Sequence, residues 1–389
     1  MIDVFNKKED CCGCTSCESI CPAKAIKMEA DKEGFLYPEI DKKLCIDCGL
    51  CKESCAFQKG YDKSRNLEEP NVYGVKHLNN DIRMESRSGG MFTALSDFVI
   101  SVGGVVYGVG YTNHLYVCHK KAINKSQRDE FRGSKYVQSD LNEIFIDIAN
   151  ELIEDNIVMF TGTPCQTAGL RRFLEKKFIS DEKLLLCDVV CHGTPSPKLF
   201  KDYIDYLESK HKAKVTDFEF RNKKLFGWEE HIETYVIKGK TYSSKLYTNL
   251  FYGHNILRPS CYNCKYTNVI RPSDITLADF WRVDDTLKDF NDNKGVSLVF
   301  VNTEKGKMFY DKVKENIIFR KCVNEIYIQP NLKEPTKKPE NRKRFWDDYY
   351  KNGFDFITKK YAGNNIKDIL KSNIKLVLKR TGILKHLRR

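Results

Sequence analysis

Residues 11–21 read CCGCTSCESIC and residues 45–55 read CIDCGLCKESC. Each run has the spacing C-x2-C-x2-C-x3-C, and Pro22 closes the first. The short gaps let three thiolates of one loop reach three irons of a cubane cluster, while the fourth thiolate swings away to the neighbouring cluster. The spacing therefore assigns cluster one to Cys11, Cys14, Cys17 and Cys55, and cluster two to Cys45, Cys48, Cys51 and Cys21. Two zinc knuckles are the competing reading. Zinc takes two well-separated ligand pairs into a tetrahedron, and four cysteines in eleven residues, twice over, suit that poorly. Cys12 falls outside the pattern and reads as a spare thiol beside the cluster loop.

A chain of 389 residues calls for two or three units, and 41% hydrophobic content allows a large core. No charged segment followed by an apolar one opens the sequence, so a signal peptide is not expected. The most apolar run, FVISVGGVVYGVGY at 98–111, is too short and too glycine-rich to span a bilayer. Sixteen cysteines then read as metal ligands of a cytoplasmic protein, not as a secreted disulfide scaffold. The net charge is +12, but +11 of it lies from Pro335 onward. The remainder is nearly neutral, which argues against nucleic acid as a partner.

Between the cysteine runs, Gly34-Phe35-Leu36-Tyr37-Pro38 predicts a small hairpin packed on the clusters. Residues 59–71 are polar, end at Pro70 and read as a linker. Val72–His77 alternates as a strand. Ser88-Gly89-Gly90 precedes MFTALSDFVIS, which has helical periodicity, and small residues before a helix leave amides free for an anion. GGVVYGVGY and LYVCHKKA follow as two strands. Arg132-Gly133-Ser134-Lys135-Tyr136-Val137-Gln138 is a basic, aromatic loop suited to clamp an anionic planar ligand, with an ordinary solvated loop as the alternative. Asp140–Asp155 is a helix with Ile144, Ile148 and Leu152 on one face. Ile157–Thr161 is a buried strand that runs into Gly162-Thr163-Pro164-Cys165. Thr163 is a good N-cap and Pro164 a good first helical residue. Cys165 then sits at a helix N-terminus, which favours thiolate.

Leu184–Cys191 is the next strand, followed by His192-Gly193 and a helix from about Ser196 to Lys210. Alternating strands and helices imply a sheet with parallel strands, whose ligands gather at the carboxyl ends. Residues 214–247 read as antiparallel strands with Trp228 in a loop. Strands follow at Ser273–Phe280, Gly295–Asn302 and near Ile317–Ile328, with a helix near Thr303–Glu315. Cys261-Tyr262-Asn263-Cys264 needs two more ligands. Cys165 and Cys191 lie at strand ends and are best placed, whereas Cys187 sits four residues before Cys191 on the strand. Cys165, Cys191, Cys261 and Cys264 are thus a third cluster, with zinc on the same four ligands as the rival.

The motifs SGGMFTAL, RGSKYVQS, TGTPCQTAGL, CHGTPSP, RPSCYNCKY, SDITLADFW and KGVSLVFVNTEKG lie behind the leading cysteine runs. Together they resemble the family of coenzyme F-420 hydrogenase/dehydrogenase beta subunits, here fused to a bacterial two-cluster ferredoxin. The resemblance covers residues 8–330. It implies an α/β (α+β) fold with a ferredoxin-like domain at 1–60 and a mixed-sheet flavin-binding core at 72–330; the basic helical tail at 335–389 departs from the family core and is read from its own residues. It also implies an oxidoreductase that exchanges a hydride at FAD with a deazaflavin or another two-electron organic substrate. Electrons then leave singly through the 4Fe–4S clusters to a redox partner protein or small carrier. Members with this two-part layout are also similar to proteins of surface-polysaccharide synthesis. Carried over by residue, Ser88, Gly89 and Gly90 meet the FAD, with Arg132, Gly133, Ser134, Lys135, Tyr136, Gln138, Gly162 and Thr163. Lys135 or Arg132 near the flavin is then expected to stabilise a reduced anionic form, and His192 to relay a proton, with a hydrogen-bonded structural histidine as its alternative. A non-catalytic electron-transfer or docking subunit of a larger redox complex is the alternative.

In the tail, Ile366, Leu370, Ile374 and Leu378 form one stripe and Lys367, Lys371, Lys375 and Lys379 the next. This is a basic amphipathic helix, suited to an anionic membrane surface, a protein partner, or packing on the body.

Overall fold

The computed structural model describes residues 3–364. The strands are β1 (Ile26–Ala30), β2 (Leu36–Ile40), β3 (Asn66–His77), β4 (Val105–Tyr111), β5 (Val117–Ala122), β6 (Val158–Gly162), β7 (Leu184–Val189), β8 (Val215–Glu219), β9 (Glu233–Ile237), β10 (Lys240–Ser244), β11 (Ile275–Asp279), β12 (Ser297–Thr303) and β13 (Ile317–Lys321). The helices that place the site are α1 (Ser16–Ile20), α2 (Met91–Ser101), α3 (Ile144–Ile153), α4 (Pro164–Lys177), α5 (Pro197–His211), α6 (Leu246–Tyr252), α7 (Glu304–Lys312) and α8 (Arg342–Tyr361).

Eight strands form one mixed sheet in the order β13-β3-β12-β11-β7-β6-β4-β5. Its middle is parallel: β4 pairs with β6, β6 with β7, and β7 with β11. Antiparallel strands complete both flanks. Central strands covered on both faces read as continuous apolar runs, and β6, β7 and β12 carry VMF, LLL and LVFV. On one face, Met91, Leu95 and Val99 of α2 and Tyr310 of α7 pack on Val106, Met159 and Leu185. On the other, Ile144 and Ile148 of α3 and Leu170 and Phe173 of α4 pack on Val158, Phe160 and Leu186. Three layers bring the carboxyl ends of β4, β6, β7 and β11 to one rim. A second cluster joins α5 to the antiparallel sheet β10-β9-β8 through Phe200, Tyr203, Phe218 and Tyr235, and α8 adds Phe345, Trp346 and Tyr349.

The cysteine-rich unit is welded to this core. β1 and β2 make the expected hairpin, with Gly34 in the left-handed region at φ +83° and Asp31 accepting from the amides of Glu33 and Phe35. The hairpin tip reaches the far end of the chain, where Arg342 Nη1 donates to Glu33 Oε1 at 2.9 Å. Elsewhere in the unit, α1 and the Cys14 loop lie on α4. A Cβ at Gly169 of α4 would stand 2.7 Å from Cys14 Sγ.

Three expectations change. The 59–71 linker is strand from Asn66, with Pro70 falling at the irregularity where β3 shifts register against Val301 and Thr303. A proline lacks the ladder donor and is tolerated there. The strand near Ile317–Ile328 ends at Lys321, because Asn324 turns the chain by accepting from the Ile326 amide at 3.2 Å. In the tail, α8 is broken at Gly353 (φ +76°), and the Ile366–Leu378 and Lys367–Lys379 stripes lie outside the described residues.

Gly169→Val puts two methyl groups where the Cys14 loop packs. Overpacking of this kind costs about 1–3 kcal/mol. The expected result is a lower denaturant midpoint and preferential proteolysis of the first sixty or so residues, read by limited digestion. Wild-type resistance would show that the Cys14 loop does not seat on α4.

Candidate functional site

The rim at the strand ends encloses a pocket of about 300 Å³. Its floor comes from Thr161–Thr163 at the end of β6, Cys187–Cys191 at the end of β7 and just beyond it, and Leu277–Asp279 of β11. One wall is the loop Phe131–Val137, and another is Ser86–Ser88 with Gly90 and the start of α2. α2 begins at Gly90 with φ +94° and no side-chain cap, so its first amides are left for a ligand. Arg132 and Lys135 bring cations to the same wall. Lys135 Nζ donates to the carbonyls of Glu130 (2.6 Å) and Arg132 (3.1 Å) and lies over the Tyr111 ring. Burial holds its ammonium down to about 7. His192 lines the pocket and is also pushed down by burial, so it is neutral at physiological pH.

Of the residues that the sequence assigned to a flavin, Ser88, Gly90, Arg132, Gly133, Ser134, Lys135, Tyr136, Gly162 and Thr163 line this pocket. Gly89 does not. Its amide donates to Ser297 Oγ and its carbonyl accepts from His77, and a Cβ there would meet Val75 O at 2.1 Å. Gly89 is therefore a close-packing residue between β3 and β12. Gln138 also points elsewhere: Nε2 donates to Cys12 O at 3.2 Å, and Oε1 accepts from Arg258 at 2.9 Å.

The cysteines fall into three neighbouring sets. Cys11, Cys14, Cys17 and Cys55 line one small cavity with Phe5, Met28 and Gln58. Cys51 lies beside Cys48 and Cys21 and packs against Cys17. In the third set, Cys191 is near Cys261, Cys165 and Cys264. Cys191 Sγ accepts from Gly193 N and Cys261 Sγ from Thr194 N, both at 3.3 Å, while Thr163 Oγ1 is 3.2 Å from Cys165 Sγ. Amide donors of this kind support thiolate ligands. Burial first, and neighbouring thiols with it, push Cys55 and Cys264 up to about 12. Buried thiols gathered this way ionise only around a cationic centre. Among the described residues, no three Cys, His, Asp or Glu side chains converge on a single-ion spacing. Cys118, Cys187 and Cys322 are buried outside these sets, Cys187 and Cys322 within apolar clusters. Cys12 is not a bystander: it is buried within hydrogen-bond reach of both Cys14 and Cys165.

Residues 155–323 match the profile that describes the carboxyl-terminal region of the coenzyme F420 hydrogenase/dehydrogenase beta subunit. This segment carries the pocket floor and all four cysteines of the third set. Through this segment the chain is similar to the carboxyl-terminal region of the coenzyme F420 hydrogenase/dehydrogenase beta subunits. A relative over most of the length is the F-type subunit of the F(420)H(2) dehydrogenase of Methanosarcina mazei, 23% identical over 319 residues, covering 79% of this chain and 83% of that protein. The second I-type subunit of the NADH-quinone oxidoreductase of Geobacter metallireducens is 42% identical over 59 residues, covering 14% of this chain and 45% of that protein. A solved F420-reducing nickel–iron hydrogenase complex from Methanosarcina barkeri aligns at 14% identity and a TM-score of 0.48, covering 75% of this chain and 96% of that one. Family and cysteine runs together give this beta-subunit relative a redox role in iron–sulfur electron transfer. Among the described residues, no helix is long and apolar enough to cross a membrane.

The family core also holds a pocket wall that the motifs did not reveal. Asp279 at the end of β11 accepts from Arg221 Nη1 at 2.7 Å and from Trp228 Nε1 at 3.2 Å, with Arg87 Nε at 3.8 Å. The Arg221 guanidinium lies 4.8 Å over Trp281, which stacks on Trp228 at 5.4 Å. Burial pushes the Asp279 carboxyl up, but Arg221 and Arg87 overcome it and hold it below the carboxylate range. Only ADFW hinted at this wall; Arg221 and Arg87 reach it from distant segments.

Asp279→Asn leaves two buried guanidiniums without a carboxylate. Breaking such a pair costs about 3–5 kcal/mol, read as a lower denaturant midpoint. The contribution is present above the ordinary carboxylate range and is lost as acid protonates Asp279 below it. A midpoint within error of wild type would mean that Arg221 and Arg87 are balanced by other groups.

Proposed function

We propose that the chain is an iron–sulfur flavoprotein oxidoreductase that binds FAD in the rim pocket and passes electrons between it and 4Fe–4S clusters. The proposed ligands are Cys165, Cys191, Cys261 and Cys264 beside the pocket, then Cys11, Cys14, Cys17 and Cys55, then Cys21, Cys45, Cys48 and Cys51. The observation that carries this reading is continuity. Cys191 both lines the pocket and belongs to the third set. Cys165 is next to Cys12 and Cys14. Cys17 of the cavity set faces Cys51 of the outer set, where Cys48 is exposed. No long gap interrupts the line from the pocket to the surface.

A flavin held there supplies hydride exchange with a two-electron organic partner, a deazaflavin or another, and single-electron exchange with the clusters. The chain supplies placement and charge. The α2 amides after Gly90, with Ser88 and Arg132, bind its pyrophosphate. Lys135 offers a cation to the ring's developing negative charge, and the neutral His192 accepts or returns a proton at its imidazole. Trp281 and Tyr252 add aromatic surface to the pocket lining. At the other end, Leu44 and Ile46 are exposed (52% and 66%) beside Cys45 and Cys48. They make the face on which a redox partner protein docks.

The test is anaerobic mixing of the flavin-loaded protein with two-electron donors. Bleaching of the flavin band is expected. A band that no donor and no low-potential reductant bleaches would leave the docking-subunit reading in its place. The Lys135 charge predicts a pH dependence as well. With its ammonium held down to about 7 in the free protein, the charge facing an anion fades as pH rises through 7. FAD affinity therefore weakens above pH 7, and Lys135→Gln flattens the profile. Fluorescence titration of the flavin-free protein reads both; a flat wild-type profile would remove Lys135 from the flavin site.

A further inference from the structure

Arg258 sits where the first cysteine loop meets the core. It is 1% exposed. Among the described residues, none of its hydrogen bonds goes to a carboxylate. Nε donates to Cys11 O at 2.8 Å, Nη1 to Gln138 Oε1 at 2.9 Å, and Nη2 to Leu36 O at 2.9 Å and Cys11 Sγ at 3.5 Å. Its plane lies 4.1 Å over Tyr37 and 5.5 Å over Phe35. Gln138 extends the grip to the Cys12 carbonyl. Gly13 runs beneath both side chains: a Cβ there would stand 2.7 Å from Gln138 Nε2 and 2.8 Å from Arg258 Nη1.

A charge taken out of water needs an opposite charge. Carbonyls and aromatic faces orient the guanidinium but do not neutralise it. The ionisable groups facing Arg258 are the thiols of Cys11, Cys12, Cys165 and Cys261 and the phenol of Tyr37. Four of these five are cysteines, and three belong to proposed cluster ligand sets; of the three, Cys11 is the one to which Arg258 also donates hydrogen bonds. A thiolate-ligated cluster is anionic, and its potential is set by its charge surroundings and by hydrogen bonds to its sulfurs.

We propose that the counter-ion of Arg258 is the cluster on Cys11, Cys14, Cys17 and Cys55, and that Arg258 is a positioning residue that raises this cluster's reduction potential above that of the outer cluster. The Nη2 donor to Cys11 Sγ and the buried positive charge both favour the reduced, more negative form. One electron enters from one neighbouring centre and one leaves to the other; no bond forms or breaks. The outer set has the exposed Cys48 and no buried guanidinium among its described neighbours. Cluster one thus becomes a shallow electron well at the junction with the core. This inference rests on the ligand assignment under the proposed function.

The test is EPR-monitored redox titration of the full chain, purified anaerobically, as wild type, Arg258→Gln and Arg258→Lys. With iron content equal to wild type, one midpoint falls in the Gln variant, falls less in the Lys variant, and the others stay. Unchanged midpoints overturn the proposal, and so does an equal fall of all of them, which marks general loosening. If the Gln variant loses iron, wild-type protein labelled with 15N in its arginine guanidiniums decides. Pulsed EPR then shows 15N coupling on one reduced cluster, and its absence overturns the proposal. A Cys14→Ala variant that keeps every cluster signal would instead remove the ligand assignment beneath it.

Discussion

The contact of Cys12 with Cys14 on one side and Cys165 on the other is the joint on which the molecule turns. It brings a cysteine-rich unit of sixty or so residues against the N-terminus of α4, at the carboxyl edge of the large sheet. Gly169 makes room for Cys14, Gln138 and Arg258 grip the loop carbonyls, and Arg342 holds the hairpin tip through Glu33. Each is a short, directional contact between segments more than a hundred residues apart. Together they fix the order of centres that a single-electron path needs, since such a path depends on placement.

Charge follows the same geometry. The pocket carries Arg132, Lys135, Arg87 and Arg221 against two carboxylates in contact with them, Asp279 and Asp129, so it presents positive charge to an anionic ligand. The cysteine junction repeats the arrangement more deeply with Arg258. Lys135 and Arg258 are held by carbonyls and aromatic faces, which fix direction while leaving charge to be balanced by what binds.

The two C-x2-C-x2-C-x3-C runs were legible because their ligands are local and their spacing alone restricts the chemistry. The C-terminal strand edges were legible for a similar reason: apolar runs ended in Gly162-Thr163-Pro164 and His192-Gly193, and both reached the pocket. Gln138 was misplaced because the loop Arg132–Gln138 was read as one unit, whereas Val137 turns into the core and carries Gln138 to the opposite side. Gly89 looked like a ligand glycine, but its role depends on β12, about two hundred residues away. Arg258 looked like a basic residue before a cysteine pair; only the packed hairpin reveals it as a buried cation. Asp279 with Arg221 and Arg87 was hidden because no local pattern marks a three-segment ion cluster.

The central claim is that three cubane sites and one flavin share this chain. The most direct measurement is iron, acid-labile sulfide, zinc and flavin on one anaerobically purified sample. The account predicts about twelve irons with matching sulfide, no zinc and one FAD per chain. About eight irons with zinc and no flavin would contradict it, leaving the core as a docking module for the N-terminal clusters.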